Sequence, residues 1–182
     1  MNRVMFLLAV VGTAIFLTGS RTSAAEPTAE DYLAFCSPQV GTWTMTNEVG
    51  GKVETGTFRY RLSRNKTCYR ATFEGGGFPA MEQIEGYDPV AKKGTMAGFD
   101  AEGGFVLATV DVPQLKQRKV MGVGVLGNWQ EKRFGPDGKT TTSTSTLSCT
   151  EVSRERIVFI WSNRKEDGKP LPDFKMTLER QE

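Results

Sequence analysis

From residue 42 to residue 181 the chain alternates apolar and polar side chains with a period of two, in about ten short runs separated by turn-forming segments. That period places successive side chains on opposite faces of a strand. The runs fall at 42–49, 52–62, 67–74, 80–87, 93–99, 105–112, 118–133, 139–151, 156–163 and 174–181. No run after residue 37 is long and helical enough to serve as the crossover of a βαβ unit. The expected fold class is therefore all-β: an up-and-down antiparallel β-barrel of about ten strands.

The alternation also assigns faces. Phe58, Tyr60 and Leu62 share one face of their run, opposite Arg59 and Arg61. Tyr69, Ala71 and Phe73 oppose Arg70, Thr72 and Glu74. Phe174, Met176 and Leu178 point one way in the last run, and Arg180 falls in phase with them. Trp43 is in phase with Met45. An arginine on the inner face is costly unless it is paired or stacked, and a guanidinium lying on an indole meets that need. Trp43 and Arg180 are thus expected to form a structural pair. Gly122, Gly124 and Gly127 predict a bend or bulge inside 118–133. The Thr/Ser tract 140–146 reads as a strand with little to bury.

Ahead of the first strand, 28–36 reads as one short helix. Thr28 is placed to cap it, with Asp31 in the capping-box position and Pro38 as the stop. Its apolar side, Tyr32, Leu33, Phe35 and Cys36, suits a plug across one end of a barrel. With strands running up and down in order, the glycine-rich loops at 50–51, 75–77, 103–104, 135–138 and 166–168 share the end opposite the start of the first strand. That end is expected to be a mobile mouth and the other a closed floor.

Residues 1–25 read as a signal peptide: Arg3, then the apolar run Val4–Leu17, then Thr22-Ser23-Ala24-Ala25. The apolar run falls short of the roughly 20 residues that span a bilayer as a helix, so no stable membrane anchor is expected. The domain is 26–182, and the expected location is exported, periplasmic or secreted. Without Arg3 and Arg21 the chain holds 21 basic and 21 acidic residues, so no field steers it to nucleic acid. Histidine is absent, which removes imidazole bases, Ser-His-Asp triads and histidine-ligated metals or haem. No metal, cofactor or catalytic residue is assigned. Cys36, Cys68 and Cys149 allow three pairings in an oxidising compartment. Cys36–Cys149 is favoured because Cys68 shares the face of Arg70 and Glu74; buried free thiols are the other reading.

The plug helix, Gly41-x-Trp43 opening the first strand and Arg180 closing the last resemble the lipocalin-like (calycin) group. Gly86-Tyr87-Asp88-Pro89 with Lys92-Lys93, and Phe99-Asp100-x-x-Gly103-Gly104, are similar to turns of an uncharacterised bacterial branch of it. The resemblance implies a barrel around an apolar pocket and no established reaction. Nitric-oxide-binding haem barrels share the Gly-x-Trp opening, but their iron depends on a histidine that this chain lacks.

Phe58, Tyr60, Tyr69, Phe73, Phe105, Leu107 and Trp161 are the expected wall of a pocket for a small apolar or amphipathic ligand. The same side chains can instead fill a solid structural barrel. A third reading is an enzyme using the cavity, with Glu85 or Asp111 as its best carboxylate. Glu82 with Glu85, Arg164-Lys165 and Lys132-Arg133 read as solvated faces.

Overall fold

The computed structural model describes residues 26–116, 118 and 120–182. The expected signal peptide, 1–25, lies outside the described residues. Helix α1 (Ala29–Cys36) precedes β1 (Gly41–Val49), β2 (Lys52–Leu62), β3 (Tyr69–Gly75), β4 (Met81–Asp88) and β5 (Lys93–Asp100). There follow β6 (Phe105–Val110), β7 (Gly124–Phe134), β8 (Thr140–Val152), β9 (Arg156–Glu166), the two-residue β10 (Lys169–Pro170) and β11 (Phe174–Arg180).

Each strand from β1 to β9 pairs antiparallel with the next, β9 pairs with β11, and β11 pairs with β1. The wall is therefore a closed ten-stranded barrel, and β10 is a short extension on β9. Closure leaves no unpaired edge around the wall.

The plug helix forms for the reasons its sequence carries. The Thr28 hydroxyl accepts from the Asp31 backbone N–H while the Asp31 carboxylate accepts from the Thr28 N–H. Tyr32, Phe35 and Cys36 are its buried side. Two hydrogen bonds tie it down: Tyr69 Oη donates to the Leu33 carbonyl at 2.6 Å, and the Met121 N–H to the Phe35 carbonyl at 2.9 Å.

That second bond explains a difference from the sequence reading. The strand expected over 118–133 begins only at Gly124, and Pro113–Lys116 is a 3₁₀ turn. The segment ahead of β7 lies against the plug instead of continuing the ladder. The expected irregularity is present as a bulge between Val125 and Gly127.

Trp43 and Arg180 face each other across the β1–β11 seam. The indole is fully buried, and the guanidinium lies 4.0 Å from its ring centre. Arg180 Nε donates to the Arg154 carbonyl and Nη1 to the Val40 carbonyl, while Trp43 Nε1 donates to the Gln39 carbonyl. The partly buried charge is thereby stacked and hydrogen-bonded.

Gly41 belongs to the same device. Its φ is +147°, and a Cβ there would overlap the Arg180 guanidinium. Gly41→Ala is expected to cost about 1–3 kcal/mol through backbone strain and loss of the stack. The drop in the denaturation midpoint measures it.

The core is not spread evenly along the axis. Trp43, Met45, Tyr60, Cys149, Ile157 and Leu178 are its fully buried large side chains. With the plug residues they fill the floor end. Between the plug and the glycine-rich loops the interior leaves a cavity.

Candidate ligand-binding site

The cavity measures about 580 Å3, within the roughly 300–1,000 Å3 typical of small-molecule pockets. It runs from Tyr32, Phe35 and Cys36 of the plug to the loops at the glycine-rich end, including Gly76 and Gly77. Strand direction positions the wall. β2 and β3 bring Phe58 opposite Phe73, whose rings lie 4.8 Å apart. β9 and β11 bring Trp161 opposite Phe174, 4.9 Å apart, and Trp129 meets Trp161 edge-on. Phe78 meets Phe174 edge-on at 6.0 Å, and both line the cavity.

The β3–β4 loop folds inward over this end. Gly75, Gly76 and Gly77 all have positive φ (76°, 74° and 85°), a run that side-chain-bearing residues rarely adopt. Gly76 is buried, and its carbonyl accepts from Asn47 Nδ2 at 2.7 Å.

The expected wall residues fall into three groups. Phe58, Phe73 and Trp161 line the cavity. Tyr60 and Tyr69 point inward but lie in the packed floor, stacked at 4.5 Å. Phe105 and Leu107 do not belong to the wall. Leu107 is exposed, and Phe105 packs with Phe99 and Phe134 on the outer face. The cause is local: β6 reads Phe-Val-Leu-Ala-Thr-Val, apolar on both faces, so its alternation does not choose a side. Val106, Ala108 and Val110 take the inside.

All three cysteines are free. The favoured Cys36–Cys149 bond is not formed, and the buried-thiol reading holds for both residues. Cys36 is buried among the plug residues, and Cys149 Sγ donates to the Glu151 carbonyl. Burial pushes the Cys36 thiol well above its usual range.

Glu85 departs furthest from the solvated face expected of it. Glu82 is exposed as expected, but Glu85 is buried and lines the cavity. On β4 the polar residues Gln83 and Glu85 face inward and Ile84 faces solvent, half exposed. Tyr60 Oη donates to Glu85 Oε2 at 2.6 Å. Burial raises the carboxyl from its ordinary 4.5 to about 7, against the lowering effect of the Tyr60 hydrogen bond. Asp111, the other carboxylate considered, sits in a partly exposed ion pair with Lys93 at 3.1 Å. Arg133 and Glu131 are also inward, paired at 3.6 Å and lining the cavity with Arg164 and Lys165. Among the described residues no cluster of three or more metal-ligating side chains occurs. No described helix is long and apolar enough to cross a membrane.

No protein-family model matches the chain, and no curated protein does. Several solved structures align along most of the chain. A de novo designed fluorescence-activating β-barrel aligns at 14% identity over 80% of this chain and 96% of that one, with a TM-score of 0.36. EF1p2_mFAP2b bound to DFHBI aligns at 13% identity over 82% and 98%, with a TM-score of 0.36. A protein of unknown function of the DUF3598 family from Nostoc punctiforme aligns at 7% identity over 85% and 99%, with a TM-score of 0.24. At these values the likeness bears on neither the ligand nor the ancestry of this chain.

Proposed function

We propose that this protein is an exported, lipocalin-like barrel that binds a small, largely apolar molecule entering through the glycine-rich end. Support comes from one observation above all: a cavity of about 580 Å3 whose wall carries Phe58, Phe73, Phe78, Trp129, Trp161 and Phe174. A barrel serving only as a structural spacer has no need to leave a cavity of this size, because empty apolar volume lowers stability. Burial of ligand area at about 25 cal/mol per Å2 supplies the attraction, less the cost of ordering the ligand. The sequence of residues 1–25 supports export; the mass of the protein isolated from its own host tests it, with removal of about 25 residues expected.

Binding is tested with a neutral fluorescent dye such as Nile red. Saturable binding and displacement by apolar competitors are expected; no saturable binding would end the proposal. Ala108 is buried and lines the cavity. Ala108→Trp is expected to weaken dye binding about tenfold or more by filling the space, with the circular dichroism of the barrel retained.

A catalytic reading has Glu85 in its favour, since a carboxyl near neutrality suits general acid–base work. Beside it stand only hydroxyls, amides and a thiol held protonated by burial, so no thiolate nucleophile is at hand. Binding accounts for the arrangement with fewer parts.

A further inference from the structure

We propose that the ligand carries a protonated amine on its apolar body and is seated amine-first, against the Glu85 carboxylate at the closed end. This rests on the barrel being a binding site, as proposed above.

The groups around Glu85 are all uncharged. Helix α1 presents Tyr32 and Cys36, β2 presents Tyr60, β3 presents Tyr69, β4 adds Gln83, and β5 presents Gly94 and Met96. Among the described residues the only hydrogen bond to the Glu85 carboxylate is that from Tyr60, which occupies Oε2. A buried carboxylate without a cation is unstable, so either a proton or a guest must neutralise it.

The second observation is Gln83, two residues earlier on the same inner face and 6% exposed. Its Nε2 donates to Met81 Sδ, but its Oε1 is buried with no partner. Glu85 and Gln83 therefore offer acceptors to one region of the lumen. An ammonium has three donors and no acceptor, which matches this set. A carboxylate head group has only acceptors and finds no cation there. The cations that line the cavity, Lys52, Arg133, Arg164 and Lys165, stand toward the glycine-rich end, interspersed with Glu54, Glu131 and Glu166. The base of the cavity thus holds a carboxylate with no basic side chain among the groups named around it, whereas the charges at the other end are of both signs.

The experiment compares dodecylamine, dodecanol and dodecanoate, each below its aggregation limit, as displacers of Nile red from wild-type protein and from Glu85→Gln at pH 8. Dodecylamine is expected to bind at least about tenfold more tightly than dodecanoate. Glu85→Gln is expected to weaken the amine about 10- to 100-fold relative to dodecanol measured on the same variant. Lowering the pH from 8 to 5 is expected to weaken the amine on wild type alone, because Glu85 takes up its proton while the amine stays charged. Dodecanoate binding as tightly as the amine, or an amine affinity indifferent to Glu85→Gln, would overturn the inference while the dye signal keeps the binding site itself standing. Absence of dye binding in wild type would overturn both.

Discussion

Trp43→Ala is expected to destabilise the barrel by about 3–5 kcal/mol, a large share of the 5–15 kcal/mol that holds a domain folded. Three losses combine at this site. The indole is fully buried in the floor core, so its removal leaves a cavity that neighbours such as Met45 and Leu178 cannot fill. Its Nε1 no longer satisfies the Gln39 carbonyl. The Arg180 guanidinium, 4.0 Å above the ring, loses the surface on which it lies. Urea denaturation followed by circular dichroism measures the effect. Trp43→Phe is expected to fall between the two, because it keeps a ring under the guanidinium. A loss below about 1.5 kcal/mol for the alanine variant would show that the floor does not depend on this side chain.

Glu85→Gln is expected to act in the opposite direction and to depend on pH. In the unfolded chain Glu85 ionises near its ordinary 4.5, whereas in the barrel burial holds it to about 7. The folded state therefore binds more protons between these values, and its stability falls as pH rises through that window. Below about pH 4 the two states are equally protonated and the penalty vanishes. Above 7 it is complete, at about 3 kcal/mol. Glutamine keeps an acceptor for the Tyr60 hydroxyl and carries no charge. The variant is expected to match wild type near pH 4 and to exceed it by up to about 3 kcal/mol at pH 8. Thermal melts of both proteins across pH 4–8 check this. A variant no more stable than wild type at pH 8 would mean that Glu85 is not desolvated in the free protein. Greater stability together with a lost amine preference is the pattern of a residue kept for binding at the expense of the fold.

Legibility in the sequence followed the contrast between the two faces of each strand. β2, β3 and β11 set charged residues against aromatic or aliphatic ones, so Phe58, Phe73 and Met176 are inward as their phase implies. Trp43 and Arg180 were readable together because both fall in phase with inner-face neighbours at opposite ends of the chain. β6 carries apolar residues on both faces, and there the phase was ambiguous; outward Phe105 and Leu107 follow from that. β4 is harder still. Its inner face is Met81, Gln83 and Glu85, so the usual rule of polar side chains outside points the wrong way. Only the tertiary setting, with Tyr60 and the plug helix closing over the carboxyl, marks the position. Such local violations are where functional groups are to be looked for. The start of β7 was obscured for a different reason. Met121 serves the helix across the floor, a contact far along the chain that strand periodicity does not encode.

The seam at Trp43 and Arg180 has a temporal side. The first strand of the wall finds its second neighbour in the last, as the ion pair between Glu48 and Lys175 across 127 residues illustrates. A chain delivered N-terminus first must wait for residues 174–180 before the cylinder can lock. Throughout that interval β1 presents bare amides and carbonyls to any passing strand. The vulnerable stage of this protein is therefore its birth, and loss of the final strand would leave a permanently adhesive sheet in place of a merely weakened barrel.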